Sequence, residues 1–184
     1  FWVPYRNYCL NEDNFNKLII KNSELIAIGK STGIDLDGKI NFEMRDTKWT
    51  TPTDDDYFSY LMHTSSSKKL NNSLLIEDNE FKCNFWYGLG EISNAVVRGN
   101  LFESTLKNDT HLKDNHYAPL YNYGKQPVIF HASTPCSGAL AGQLNLTVTG
   151  NTFKNAENLF RIYQTDRNPE SAETDLIVEN NTIS

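Results

Sequence analysis

Three sets of residues in this chain have side chains that could do chemistry. The first lies on two β-type segments, Val128-Ile129-Phe130-His131-Ala132 and Leu159-Phe160-Arg161-Ile162-Tyr163-Gln164. If Phe130 and Ala132 face inward, strand alternation turns His131 outward. The same parity, with Phe160 and Ile162 inside, turns Arg161 and Tyr163 outward. An arginine fork grips a carboxylate through two parallel hydrogen bonds, and a tyrosine offers a flat apolar body with a polar tip. Together they suit an acidic sugar, whereas a lone outward Arg or His also suits plain surface. The second set lies in the stretch from Glu103 to Pro127, which holds His111, His116, Tyr117, Tyr121 and Tyr123. A long aperiodic stretch of this kind marks a functional loop, or it hides an irregular rung through Tyr117-Ala118-Pro119-Leu120-Tyr121. The third set is Asp54-Asp55-Asp56, between Thr50 and Tyr57. Adjacent acids could hold calcium or work on a glycosidic bond; they also suit a solvated loop.

The elements that must position these residues are marked by a recurring six-residue phrase. Its clearest copies are Ile76-Glu77-Asp78-Asn79-Glu80-Phe81, Val97-Arg98-Gly99-Asn100-Leu101-Phe102, Val148-Thr149-Gly150-Asn151-Thr152-Phe153 and Val178-Glu179-Asn180-Asn181-Thr182-Ile183. Looser copies are Ile20-Lys21-Asn22-Ser23-Glu24-Leu25 and Met44-Arg45-Asp46-Thr47-Lys48-Trp49. Successive copies are 24, 32, 21, 51 and 30 residues apart. The gap of 51 leaves room for one hidden rung or one enlarged loop. β-type residues precede most copies, and Leu144-Asn145-Leu146-Thr147-Val148 alternates as a half-buried strand does. The Asn or Gly pair then supplies the left-handed backbone that a sharp corner needs. A strand, a tight corner and a second strand at this period form the rung of a coil, in which successive rungs stack in parallel. The corner asparagines Asn79, Asn100, Asn151 and Asn181 would then form a ladder, since an amide both donates and accepts. A hairpin would instead place one two-residue turn between two long strands.

This pattern resembles the right-handed parallel β-helix of the pectin-lyase-like superfamily, a fold also seen in phage tailspikes. The resemblance covers roughly residues 17–184 and specifies architecture rather than activity. It implies an all-β solenoid of about six to seven rungs. Each rung would have three strands, with the Asn corner joining the second to the third. First strands are then expected near Leu25–Ile28, Tyr60–His63, Phe85–Leu89, Val128–Ala132 and Leu159–Gln164. Residues 1–16 read as an irregular N-terminal segment and 103–127 as an inserted loop or irregular rung. In related enzymes the first-strand face and its loops form the substrate groove. The polygalacturonase type carries Asn-Thr-Asp, Asp-Asp, Gly-His-Gly and Arg-Ile-Lys on successive rungs. Here Arg161-Ile162-Tyr163 and Phe130-His131-Ala132 echo the last two only in part, so that activity does not carry over.

At 184 residues the chain has the size of one domain. A hydrophobic share of 39% fits a solenoid with a thin core. The aromatic share of 12% fits β packing and also sugar stacking. A net charge of −6 without a basic stripe argues against nucleic acid. No run approaches the length of a membrane helix. Cys9, Cys83 and Cys136 are odd in number and lack metal-ligand spacing. Asn-x-Ser/Thr triplets at Asn71, Asn108, Asn145 and Asn180 follow from an Asn-rich repeat and are not read as glycosylation. The chain opens abruptly at Phe1 and stops inside a rung at Ser184. The expectation is therefore a segment of a longer extracellular, cell-surface or virion protein, capped at both ends by other segments or by partner copies in a homotrimer. The function expected first is recognition of a polysaccharide or cell-surface glycan, with His131, Arg161, Tyr163, Tyr117, Tyr121 and Tyr123 as candidate contacts. The alternatives are a polysaccharide lyase or glycoside hydrolase acting on an acidic polysaccharide, and a structural shaft or assembly segment. No cofactor or metal is expected, apart from the calcium reading of the acidic run.

Overall fold

The structure, a computed structural model, describes residues 16–36, 40–64, 73–90, 92, 94–105, 128–133, 145–155, 158–163 and 175–184. The described elements are all strands. The chain begins with β1 (Asn16–Lys21) and β2 (Glu24–Ile26), then β3 (Lys30–Ser31), β4 (Ile34–Leu36), β5 (Ile40–Arg45) and β6 (Lys48–Thr50). Next come β7 (Tyr57–Thr64), β8 (Ser73–Glu77) and β9 (Glu80–Cys83), then β10 (Phe85–Gly90), β11 (Ala95–Arg98) and β12 (Leu101–Ser104). The last two levels are β13 (Val128–Ser133), β14 (Leu146–Thr149) and β15 (Thr152–Lys154), then β16 (Asn158–Tyr163), β17 (Leu176–Glu179) and β18 (Thr182–Ile183).

These strands form three six-stranded sheets, and the pairings among the described strands are parallel. The first-strand sheet runs β3-β7-β10-β13-β16, with β4 also paired to β7. The second-strand sheet runs β1-β5-β8-β11-β14-β17, and the third-strand sheet β2-β6-β9-β12-β15-β18. The molecule is thus a parallel β-solenoid in which each level from β7 onward contributes one strand to each sheet, while β3 and β4 share the first-strand place of the level before and the β1–β2 level has no first strand among the described residues. β11 pairs directly with β14 and β12 with β15, so no strand lies between them in the second- and third-strand sheets, and β13 is the described strand that falls between β12 and β14 within the 51-residue gap. That gap is one level enlarged on both sides of β13.

The corners follow from backbone chemistry. Asn22, Asp46, Asp78, Gly99, Gly150 and Asn180 all have φ between 48° and 67°, each one residue before a ladder position. Gly99 is also required sterically, because a Cβ there would stand 2.2 Å from Asp78 Oδ1. At the next position the amides join head to tail. Asn79 Nδ2 donates to Asn100 Oδ1, Asn100 Nδ2 to Asn151 Oδ1 and Asn151 Nδ2 to Asn181 Oδ1, at 2.9 to 3.0 Å. Each of these Oδ1 atoms also accepts the backbone N–H of the preceding asparagine. Where Thr47 replaces Asn, its Oγ1 donates to Arg45 O at 3.0 Å, the same local bond that Asn100, Asn151 and Asn181 make with their Nδ2.

Inside the coil, Trp49, Phe81, Phe102 and Phe153 form a column from the third-strand sheet, with centroid separations of 5.5, 4.6 and 5.4 Å. Phe42, Met44, Leu74, Ile76, Val97 and Val148 face it from the second-strand sheet. Full burial of such a side chain contributes about 1.5–3 kcal/mol. Cys83 lies in this core as a free thiol, and desolvation pushes its pKa well up.

Several expectations need correction. Leu25–Ile28 is not a first strand: Glu24–Ile26 is β2 of the third-strand sheet, and β3 and β4 take the first-strand place. The physical reason is the Asn22 corner, after which the chain must enter the third sheet. Glu103 and Ser104 belong to β12 rather than to an insertion. Residues 1–15 and 106–127 lie outside the described residues.

Candidate functional site

The first-strand sheet departs from simple alternation. Between the register pairs Ser31↔Phe58 and Ile34↔Met62, β7 has three residues where the facing chain has two. Such an extra residue is a bulge, which re-aims the side chains around it. Its mark is two consecutive buried residues on each level: Leu61 and Met62, Gly88 and Leu89, Ile129 and Phe130. The crowding admits little. A Cβ on Gly88 would stand 2.5 Å from the Ile129 carbonyl oxygen, and one on Gly33 would stand 2.3 Å from that of Leu61.

The bulge brings Tyr60 and its register partner Tyr87 to a half-buried position while Phe58, Phe85, Met62 and Leu89 remain buried. The two tyrosine rings stack at 4.8 Å with an interplanar angle of 21°. Beside them lies His63, whose ring centroid is 5.0 Å from that of Tyr60. Asp35 is the register partner of His63 on β4, and the two side chains meet at 3.2 Å, Nδ1 to Oδ1. The pair is accessible, with side-chain exposures of 31% for His63 and 48% for Asp35. A carboxylate accepts, so Nδ1–H donates to Asp35, and in the neutral ring that tautomer leaves Nε2 as an acceptor. Above His63 in register is Gly90, where a Cβ would stand 2.8 Å from the Tyr60 ring and 3.1 Å from His63 Cδ2. Bare backbone at this point lets both rings lie across the next level.

The same register continues from Gly90 to His131 and from His131 to Arg161. Tyr163 of β16 pairs with Ser133 of β13. The backbone therefore places His131 and Arg161 on adjacent strands, in line with Asp35 and His63; the side chains of His131, Arg161 and Tyr163 are outside the described part. Tyr117, Tyr121 and Tyr123 also lie outside the described residues.

Elsewhere, charge is used internally. Asp56 is buried and accepts from Gly29 N at 2.5 Å and from Thr53 N and Oγ1 at 3.0 and 2.7 Å. The Gly29 N–H, then the Thr53 hydroxyl, hold its carboxyl below the usual range. The carboxylate of Asp56 is thus a corner brace that tethers the start of β7, while Asp54 and Asp55 remain exposed. Among the described residues, no group of three or more His, Cys, Asp or Glu is arranged to hold a metal. On the second-strand sheet Glu43 meets Lys17 at 3.1 Å and Lys21 at 3.8 Å. Glu77 there lies between Arg45, at 2.6 Å, and Arg98. The Arg98 hydrogen bond, above all, holds the Glu77 carboxyl below its usual range. On the third-strand sheet Glu103 meets Lys82 at 3.5 Å and Lys154 at 3.8 Å. In these columns each carboxylate is paired with two cations on neighbouring rungs. Among the described residues, the first-strand face is where stacked aromatics and a His–Asp pair occur together.

Asp35, His63, Tyr60 and Tyr87 were not legible as a site from the sequence. Their union depends on a register between residues 28 positions apart and on a bulge that breaks strand parity. The one usable signal was Gly88-Leu89-Gly90 within an aromatic strand, since glycine inside a strand marks a bulge or a close approach.

Fold and site together define a parallel β-solenoid with an aromatic and His–Asp patch on its first-strand face. Comparison with protein-family models, with curated proteins and with solved structures gives no match.

Proposed function

We propose that this chain recognises a polysaccharide or cell-surface glycan through its first-strand face, as a pectin-lyase-like β-helical segment of a larger extracellular or virion surface protein. The observation that carries this reading is the Tyr60–Tyr87 stack with the His63–Asp35 pair beside it. A half-exposed aromatic body supplies apolar contact at low entropic cost, and the adjacent polar pair supplies hydrogen bonds that fix orientation. The rungs recur about every 4.8 Å, so an extended chain lying along the sheet would meet a new set of side chains at each level. In this reading a homotrimer or neighbouring protein segments cover the solenoid's ends, and the site needs no cofactor.

A second reading, cleavage of an acidic polysaccharide by a lyase or hydrolase, is favoured by one observation. His63 is held by a carboxylate, as a general base is, and His131 and Arg161 follow it in register. The experiment that separates the two uses a panel of neutral and acidic polysaccharides, measuring both binding and the release of reducing ends or unsaturated products. Binding without release supports recognition. Release that is lost on Arg161→Ala, with folding intact, supports the enzyme.

A further inference from the structure

The imidazole of His63 is oriented from both sides. Asp35 on β4 takes its Nδ1–H, and its Cδ2 edge lies over Gly90 of β10. Nδ1 and Cδ2 flank Cγ, the ring atom bonded to Cβ, so Cε1 and Nε2 form the far edge. Nε2, bonded to Cδ2, lies on the Gly90 side of that edge, and the ring centroid is 5.0 Å from that of Tyr60. We infer that His63 reads a hydroxyl group of a sugar unit held at Tyr60–Tyr87, accepting its proton in a hydrogen bond at Nε2, with Asp35 as the positioning residue.

The inference rests on the glycan-recognition reading and sharpens it. A hydroxyl donor suits an acceptor Nε2, whereas a sugar carboxylate would meet the like charge of Asp35 alongside. The unit bound here is therefore neutral, and an acidic unit of the same chain belongs further along the register, toward the levels of His131 and Arg161. A protein site built to accept from a hydroxyl discriminates against ligands that lack it, because its own buried or half-buried acceptor is left unpaired.

The test combines long-range 1H–15N spectra of His63 with binding of defined oligosaccharides of glucose, galactose, mannose and galacturonate. The wild-type protein is expected to show the Nδ1–H tautomer and to bind at least one neutral oligosaccharide. His63→Ala should weaken that binding roughly fivefold to tenfold, the loss of about one hydrogen bond. Asp35→Ala should lose the tautomer preference and weaken binding to the same degree. Asp35→Asn, whose carbonyl still accepts from Nδ1–H, should keep both. A merely structural role for Asp35 would not move the tautomer signal. If His63 carries its proton on Nε2 in the wild type, or if His63→Ala binds normally while Tyr60→Ala does not, the inference is overturned and the glycan reading stands. If no oligosaccharide binds, both fall.

Discussion

Replacing Asn100 by alanine tests how the solenoid holds its corners. The Asn100 side chain is buried at 1% exposure and makes bonds in three directions. Its Oδ1 accepts from Asn79 N and Nδ2, both at 2.9 Å. Its Nδ2 donates to Ile76 O at 2.9 Å, to Arg98 O at 3.0 Å and to Asn151 Oδ1 at 2.9 Å. Some partners survive truncation. Asn79 Nδ2 keeps Met44 O, Arg98 O keeps the Asp78 N–H, and Asn151 Oδ1 keeps the Asn100 N–H. The Asn79 N–H and the second acceptor site of Ile76 O lose their partners. At about 1–3 kcal/mol for the buried Asn79 N–H left unsatisfied and about 0.5–1.5 kcal/mol for the lost bond to Ile76 O, the cost is about 1.5–4.5 kcal/mol, a large part of the 5–15 kcal/mol by which domains are stable. Asn100→Asp should cost more, since a carboxylate cannot donate to three acceptors and is buried uncompensated. Asn181→Ala, at the half-exposed end of the ladder, should cost under about 1.5 kcal/mol because water can replace the lost bonds. Urea unfolding of the three variants measures this order. If Asn100→Ala costs less than about 1 kcal/mol, or no more than Asn181→Ala, the ladder does not brace the corners as argued.

Other perturbations reach different layers of the structure. Gly88→Ala should destabilise by about 1–3 kcal/mol through overpacking against the Ile129 carbonyl, read as a lower midpoint in the same urea assay. On acidification, Glu77, Glu43 and Asp56 share one sign. Their folded pKa values lie below the ordinary 4.5 for Glu and 3.8 for Asp, so their stabilisation is complete above those ordinary values and is lost as pH falls below them through the lowered folded values. The melting temperature should therefore hold from neutral pH down to about 5 and then drop steeply below about 4, and Glu77→Gln should show a shallower acid drop from a lower starting point. Cys83, a buried thiol with its pKa pushed up, should resist a thiolate-selective reagent in the folded protein and react on unfolding in urea.

The corners were the most legible part of the sequence because their chemistry is local. A left-handed residue followed by a buried amide leaves a fixed pair of residue types, and Gly99-Asn100 and Gly150-Asn151 state it directly. Thr47 is less obvious because its hydroxyl makes only the local bond to Arg45 O. The first level misled, since Leu25-Ile26-Ala27-Ile28 has the composition of an inner strand yet follows the Asn22 corner, which commits β2 to the third-strand sheet. The site was hidden for a different reason. Strict alternation would set Tyr60 and Met62 on one side, but an extra residue in β7 separates them. That residue also brings Tyr60 beside His63 and over Gly90, contacts that no spacing in the sequence records.

The most direct test of the central claim, that the first-strand face recognises a glycan, is calorimetric binding across the polysaccharide panel for the wild type and the Tyr60→Ala/Tyr87→Ala double variant. The wild type is expected to bind at least one polysaccharide. The double variant should lose roughly tenfold or more in affinity while keeping the wild-type circular dichroism and cooperative unfolding. A folded double variant that binds as tightly as the wild type would contradict the claim, and so would a wild-type protein that binds none of the panel.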